Sequence, residues 1–227
     1  MPKPELLIFD CDGVLIDSEP IASRTFADQL QQRGIAISAA EAHVRFTGHS
    51  VGEIIAHCVE QQGLTDPDRL LRDWNIALFE EFRRSLRPMP GMPAVIAALR
   101  QQQKCVASNS TAVRLRASLG VTELWDAFTP AVFGADSVAR PKPAPDLPLH
   151  CAAQFGVAPE RCVMIDDSPH GVMAGKAAGM PAIGFVDPAD PRSGRSAVLR
   201  AAGADFVVTG SVELGDLLAS LTSTVAA

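Results

Sequence analysis

The sequence predicts an α/β fold: a parallel sheet with helices on both faces and an inserted helical segment. Three observations carry this prediction. Short apolar runs, each stopping at a polar or glycine residue, recur along the chain. Helical patterns lie between most of these runs, and strands alternating with helices indicate a parallel sheet covered on both sides. Residues 17–88 break the rhythm and contain no convincing strand.

Leu6-Leu7-Ile8-Phe9 reads as the first buried strand and stops at Asp10. The segment after it reads as amphipathic helices at roughly 20–33, 39–45, 50–62 and 67–85, closed by the helix breakers Pro88-Met89-Pro90-Gly91. It is expected to be a cap inserted at 17–88, with 1–16 and 89–227 forming the core. Cys105-Val106-Ala107 is the next strand and ends at Ser108-Asn109-Ser110. Ala131-Val132-Phe133 ends at Gly134, and Val163-Met164-Ile165 ends at Asp166-Asp167-Ser168. Ala182–Phe185 and Asp205–Val208 complete the set. Helices are expected at 92–103, 111–119, 146–156 and 169–178, and fraying from Thr222 onward.

Composition narrows the function. The 227 residues are 47% hydrophobic, enough for a packed core, and carry a formal net charge of −6. A nucleic-acid partner is not expected, since that needs a basic footprint. The five cysteines, with no CxxC pair, argue against a disulfide framework or a zinc site. The first apolar run is too short for a signal segment or membrane span. A cytoplasmic protein with no membrane partner and no evident obligatory protein partner is the expectation.

In open parallel sheets ligands bind at the carboxyl ends of the strands. Asp10 and Asp12, Ser108 and Asn109, and Asp166 and Asp167 are therefore expected to converge there. Lys142 joins them from Arg140-Pro141-Lys142-Pro143-Ala144-Pro145-Asp146, whose prolines restrict the backbone. Four carboxylates in one cleft repel each other, and a divalent cation relieves this; hard oxygen ligands suit Mg²⁺. Gly13 allows a sharp turn after Asp10-Cys11-Asp12. Asp10 is positioned to attack phosphorus as a nucleophile. Asp12 would protonate the leaving oxygen and later deprotonate water. Ser108, the Asn109 backbone N–H and Lys142 would hold the phosphoryl oxygens. Ser168 reads as a helix N-cap and Pro169 as the first helical residue. Cys11 is expected to pack beside the site, and Trp74 and Trp125 to serve packing. His43, His57, His150 and His170 are read as surface or core residues.

These residues resemble a family. Phe9-Asp10-Cys11-Asp12-Gly13-Val14-Leu15-Ile16-Asp17-Ser18 resembles the first motif of the haloacid dehalogenase superfamily. Val106–Ser110, Arg140–Asp146 and Ile165–Val172 resemble its second, third and fourth motifs, in the right order. The resemblance is nearest to the β-phosphoglucomutase-like sugar-phosphate phosphatases. It implies a Rossmann-like core with an α-helical cap. It also implies Mg²⁺ bound by Asp10, the Asp12 backbone carbonyl and Asp167, with Asp166 acting directly or through water. By the same resemblance the turn Arg45-Phe46-Thr47-Gly48-His49-Ser50 contacts substrate, with His49 among the contacts. The expected substrate is a small phosphorylated metabolite.

The rival on the same scaffold is a β-phosphoglucomutase-type mutase. Such mutases carry a histidine where this chain has Ala22 and an arginine where it has Val51. A metal-free dehalogenase is set aside because Asp12, Asp166 and Asp167 are all present. A Schiff-base phosphonate hydrolase is set aside because residues 17–88 contain no lysine. A non-catalytic module that kept the fold would need its intact acidic set to be idle.

Overall fold

The computed structural model describes residues 3–46 and 51–223. The chain divides into two compact units, one of Met1–Ile16 with Arg87–Ala227 and one of Asp17–Leu86.

The first unit is built on six parallel strands: β1 (Leu6–Phe9), β2 (Gln103–Ala107), β3 (Val132–Phe133), β4 (Cys162–Asp166), β5 (Ala182–Val186) and β6 (Phe206–Thr209). Their order across the sheet is β3-β2-β1-β4-β5-β6. All four residues of β1 are buried, as a central strand covered on both faces requires. The two faces separate by alternation. Leu6 and Ile8 join Cys105, Ala107, Cys162 and Met164 in one apolar layer. Phe9 points the other way and meets Phe128 edge-on at 5.7 Å.

The second unit contains α1 (Glu19–Gln31), α2 (Ala39–Phe46), α3 (Val51–Gln62) and α4 (Pro67–Ser85). Its core includes Phe26, whose ring lies 4.9 Å from Trp74 and 5.6 Å from Phe46. Trp74 spends its indole N–H on the buried Thr25 hydroxyl at 3.0 Å, so this tryptophan packs as expected. Pro67 begins α4, where a missing N–H costs nothing.

The sheet unit's helices are α5 (Met92–Ala98), α6 (Ala112–Ala117), α7 (Trp125–Phe128), α8 (Asp146–Phe155), α9 (Pro169–Ala177), α10 (Arg195–Ala201) and α11 (Gly210–Thr222). Leu147, Cys151 and Ala152 of α8 lie on the Leu6–Ile8 layer. One boundary differs clearly from expectation. The helix expected to run to residue 103 ends at Ala98, because Gln103 already pairs with Leu6 and Lys104 with Leu7. Sequence patterning also misses α7, α10 and α11.

The strand order places the topological switch beside β1, whose neighbours β2 and β4 lead to opposite ends of the sheet. The crevice outside these strand ends is where such sheets bind ligands. Phe9 pairs with Ile165, so the two chains carry Asp10 and Asp166 forward at the same level.

Candidate active site

Asp10 leaves β1 with its N–H still donating to the Ile165 carbonyl at 2.9 Å. The chain then folds back on itself. The Cys11 carbonyl accepts from Leu15 and Ile16 N–H at 2.9 and 3.1 Å, and Gly13 N–H donates to the Ile16 carbonyl at 3.0 Å. Gly13 adopts φ +78°, the left-handed region that favours glycine. It is also a close approach: a Cβ there would lie 2.7 Å from Asp167 Oδ2.

Lys142 reaches the same point from the loop before α8, and its ammonium is buried. Its Nζ donates to Asp166 Oδ2 at 2.7 Å, Asp10 Oδ1 at 2.9 Å and the Ala107 carbonyl at 3.0 Å. Three acceptors match the three N–H bonds of an ammonium. Burial raises the Asp10 carboxyl to about 7; Lys142 pulls it down, while Asp166 and Asp12 push it up. Burial opposes charge on Lys142, but Asp10 and Asp166 outweigh it and hold the ammonium above the ordinary lysine value.

Asp166 is fully buried at the end of β4, and both of its oxygens are engaged. Oδ2 receives Lys142, and Oδ1 accepts the Ser168 N–H at 2.9 Å. Gly171, in the first turn of α9, has no room for a side chain because a Cβ would overlap this carboxylate. Ser168 caps α9 through its hydroxyl, which accepts from His170 N–H at 3.1 Å, and Pro169 opens the helix. The cap therefore fixes the Asp166-Asp167 turn, as the sequence implied.

At the end of β2, Ser108 is buried and its hydroxyl accepts from Ser110 N–H at 3.1 Å. Ser110 donates its own hydroxyl proton to Asp12 Oδ2 at 2.9 Å. Asn109 acts through its side chain. Its Nδ2 donates to the Lys142 carbonyl at 2.8 Å, and its Oδ1 accepts from the Lys142 N–H at 2.9 Å. The expectation for Asn109 concerned its backbone N–H; the carboxamide clamp on Lys142 is an addition to it. Cys11 is buried, and burial, then Asp12 and Asp10, push its thiol well above the ordinary value.

One carboxylate oxygen each from Asp10, Asp166 and Asp167 lie within 4.8 Å of one another. Three carboxylates against one ammonium leave surplus negative charge, and the donors are hard oxygens, so the residues fit a divalent cation such as Mg²⁺. The Asp12 carboxylate is outside this group among the described residues, which leaves its backbone carbonyl as the ligand implied by resemblance. His49 lies outside the described residues.

Sequence reasoning named Asp10, Asp12, Ser108, Asn109, Lys142, Asp166 and Asp167, and the fold brings all seven to adjoining strand ends. It gave no role to Ser110, Gly171 or Arg195. Arg195 donates from Nη2 to the Asp167 carbonyl at 2.6 Å. Ser110 stood inside a recognisable motif; Arg195 follows a loop with no helical or strand pattern to flag it.

Known proteins resemble this chain in sequence and fold. The chain is 32% identical over 197 residues to a 6-phosphogluconate phosphatase of Escherichia coli, covering 85% of this chain and 86% of that protein. It is 33% identical over 181 residues to a fructose-1-phosphate phosphatase of the same organism, covering 78% and 94%. Among solved structures, a hydrolase from Deinococcus radiodurans with bound phosphate and sodium superposes with a TM-score of 0.82. Identity there is 31%, with 97% of each chain covered. The haloacid dehalogenase-like hydrolase profile matches residues 7–185, from β1 to β5, and takes in every acidic residue of the cluster. The chain belongs to the haloacid dehalogenase-like hydrolase family.

Proposed function

We propose that this protein is a Mg²⁺-dependent phosphatase of a small sugar or sugar-acid phosphate, working through an aspartyl-phosphate on Asp10, with 17–88 as its cap domain. One observation carries the reading: the buried Asp10 carboxylate is held at 2.9 Å by Lys142, at the strand end where Asp166 and Asp167 also converge. The relatives whose names specify 6-phosphogluconate and fructose 1-phosphate support the substrate class.

Lys142 favours the ionised form of Asp10 against burial and the neighbouring carboxylates. The ionised oxygen attacks phosphorus, and the bond from phosphorus to the substrate oxygen breaks. Asp12, oriented by Ser110, gives that oxygen a proton. Asp12 then takes a proton from water as the water attacks the acyl-phosphate, which frees phosphate and restores Asp10. The Ser108 hydroxyl and the positive charge of Lys142 steady the phosphoryl oxygens through both steps. Asp10 and Asp167, with the Asp12 carbonyl, would hold Mg²⁺, and Asp166 would act directly or through water. The bound cation would neutralise charge on the transferred group.

The test is a panel of phosphorylated sugars and sugar acids with purified protein and Mg²⁺, read as inorganic phosphate. Release is expected from at least one of them and is expected to stop after dialysis against a chelator. Asp10→Asn should lower kcat at least about a thousandfold, since about 1.4 kcal/mol corresponds to each tenfold. A folded Asp10→Asn protein retaining a tenth of wild-type kcat would remove Asp10 from the role of nucleophile.

A further inference from the structure

Arg195 opens α10, beyond the stretch that matches the family profile. Its guanidinium is mostly withdrawn from solvent, with 13% of the side chain exposed. Nη2 donates to the main-chain carbonyl of Asp167 at 2.6 Å. Nε lies 3.4 Å from Asp190 Oδ2. Asp190 is itself only 9% exposed and is gripped by Arg192, whose Nη2 donates to Oδ2 at 2.6 Å and Nε to Oδ1 at 2.9 Å. Asp190 also caps its own loop by accepting the Arg192 N–H at 2.8 Å. Arg195, backed by Asp190 and Arg192 of the loop after β5, thus braces the turn after β4. On its other side, the Asp167 carboxylate rests against the bare Cα of Gly13.

We propose that Arg195, anchored by Asp190, is a positioning residue for Asp167 and thereby sets the affinity of the acidic cluster for its divalent cation. This rests on the metal-site reading given above. A carboxylate ligand binds well only if its backbone is held, because a mobile ligand must be ordered at the moment of binding. A planar fork with well-separated N–H donors spans a carbonyl and a carboxylate in fixed geometry and so holds both loops at once; a lysine at this position would bring one shorter, compact head in place of that fork. Arg195 also brings positive charge near a cation site, which by itself would weaken binding. Asp190, which Arg195 shares with Arg192, offsets only part of that charge. The two effects make opposite predictions for Arg195→Met: lost positioning weakens binding, and lost repulsion tightens it.

The experiment measures Mn²⁺ binding to the cation-free protein by the loss of its free-ion paramagnetic resonance signal, without substrate. Arg195→Met and Asp190→Asn are compared with wild type, and Arg195→Lys tests whether charge alone rescues. Melting curves of the cation-free proteins report folding separately. The expected result is an increase in the Mn²⁺ dissociation constant on the order of tenfold or more for Arg195→Met, as for other partners that orient metal ligands. Arg195→Lys should remain weaker than wild type, and Asp190→Asn should be impaired in the same direction. Arg195→Met binding Mn²⁺ as tightly as wild type, or more tightly, overturns the proposal. If Arg195→Met does not fold, Asp190→Asn decides: wild-type affinity in that variant overturns it too. Wild-type protein that fails to bind Mn²⁺ would instead overturn the metal-site reading itself.

Discussion

At the scale of single residues, the decisive feature is how much of the site is spent on holding Lys142. The side chain has three acceptors, and its main chain is gripped by Asn109 through both N–H and C=O. Each such hydrogen bond contributes about 1 kcal/mol net, and a group left without a partner costs more. Asn109→Ala should free the Lys142 main chain and let the ammonium drift from Asp10. We expect kcat/KM to fall about ten- to a hundredfold, because small misplacements at a reacting centre are costly. Asn109→Asp, which keeps the acceptor for the Lys142 N–H but loses the donor to its carbonyl, should fall between. Steady-state kinetics with melting curves check this; wild-type kcat/KM in Asn109→Ala would show that the clamp is dispensable. The acidic and hydroxyl residues of the site were legible in the sequence because they follow apolar runs, and Lys142 because it stands between prolines. The clamp was not, since Asn109 and Lys142 are 33 positions apart and only the β2 and α8 approaches bring them together.

At the scale of elements, α9 is the part most tightly fitted to the chemistry. Its first turn passes so close to Asp166 that Gly171 can carry no side chain. Gly171→Ala must therefore move either the helix or the carboxylate that holds Lys142. Overpacking of this kind costs about 1–3 kcal/mol. The expected outcome is a lower urea midpoint together with loss of phosphate release. Gly120→Ala is the control: its Cβ would meet nothing nearer than 3.6 Å, and its midpoint should hardly change. Equal midpoints for the two variants would contradict the close packing. The start of α9 was readable because Ser168-Pro169 is a local signal. The helices that patterning missed lack one. α10 buries Leu199 alone among its seven residues, so it shows no apolar stripe. In α11, Gly210 and Gly215 dilute a helical pattern whose buried face is Ser211, Leu214 and Leu218. The strand β2 begins with exposed Gln103 and half-buried Lys104, which explains why an apolar run located only its last three residues.

At the scale of the whole molecule, the cysteines report how well each unit is closed. All five are buried as free thiols. Cys105, Cys151 and Cys162 lie in the apolar layer between α8 and the sheet, and Cys11 lies beside the acidic cluster. Cys58 belongs to the helical unit and is the one residue that α3 buries. Burial raises the Cys58 thiol and pushes Cys162 up to about 11. Buried thiols held in the protonated form are inert, so the native protein should react with fewer than about one equivalent of an aromatic disulfide reagent within minutes. Full unfolding should release all five. The order between these limits follows from packing. A helix that contributes one buried side chain has little apolar contact to lose on opening, whereas the strands β2 and β4 are buried along most of their length. Cys58 should therefore be the first thiol labelled as urea is raised below the main transition, with Cys105, Cys151 and Cys162 following only at the transition. Mass spectrometry of peptides from samples quenched at each urea concentration reads this order directly. Labelling of Cys105 or Cys162 before Cys58 would mean that the sheet, not α3, is the part that opens at lowest cost.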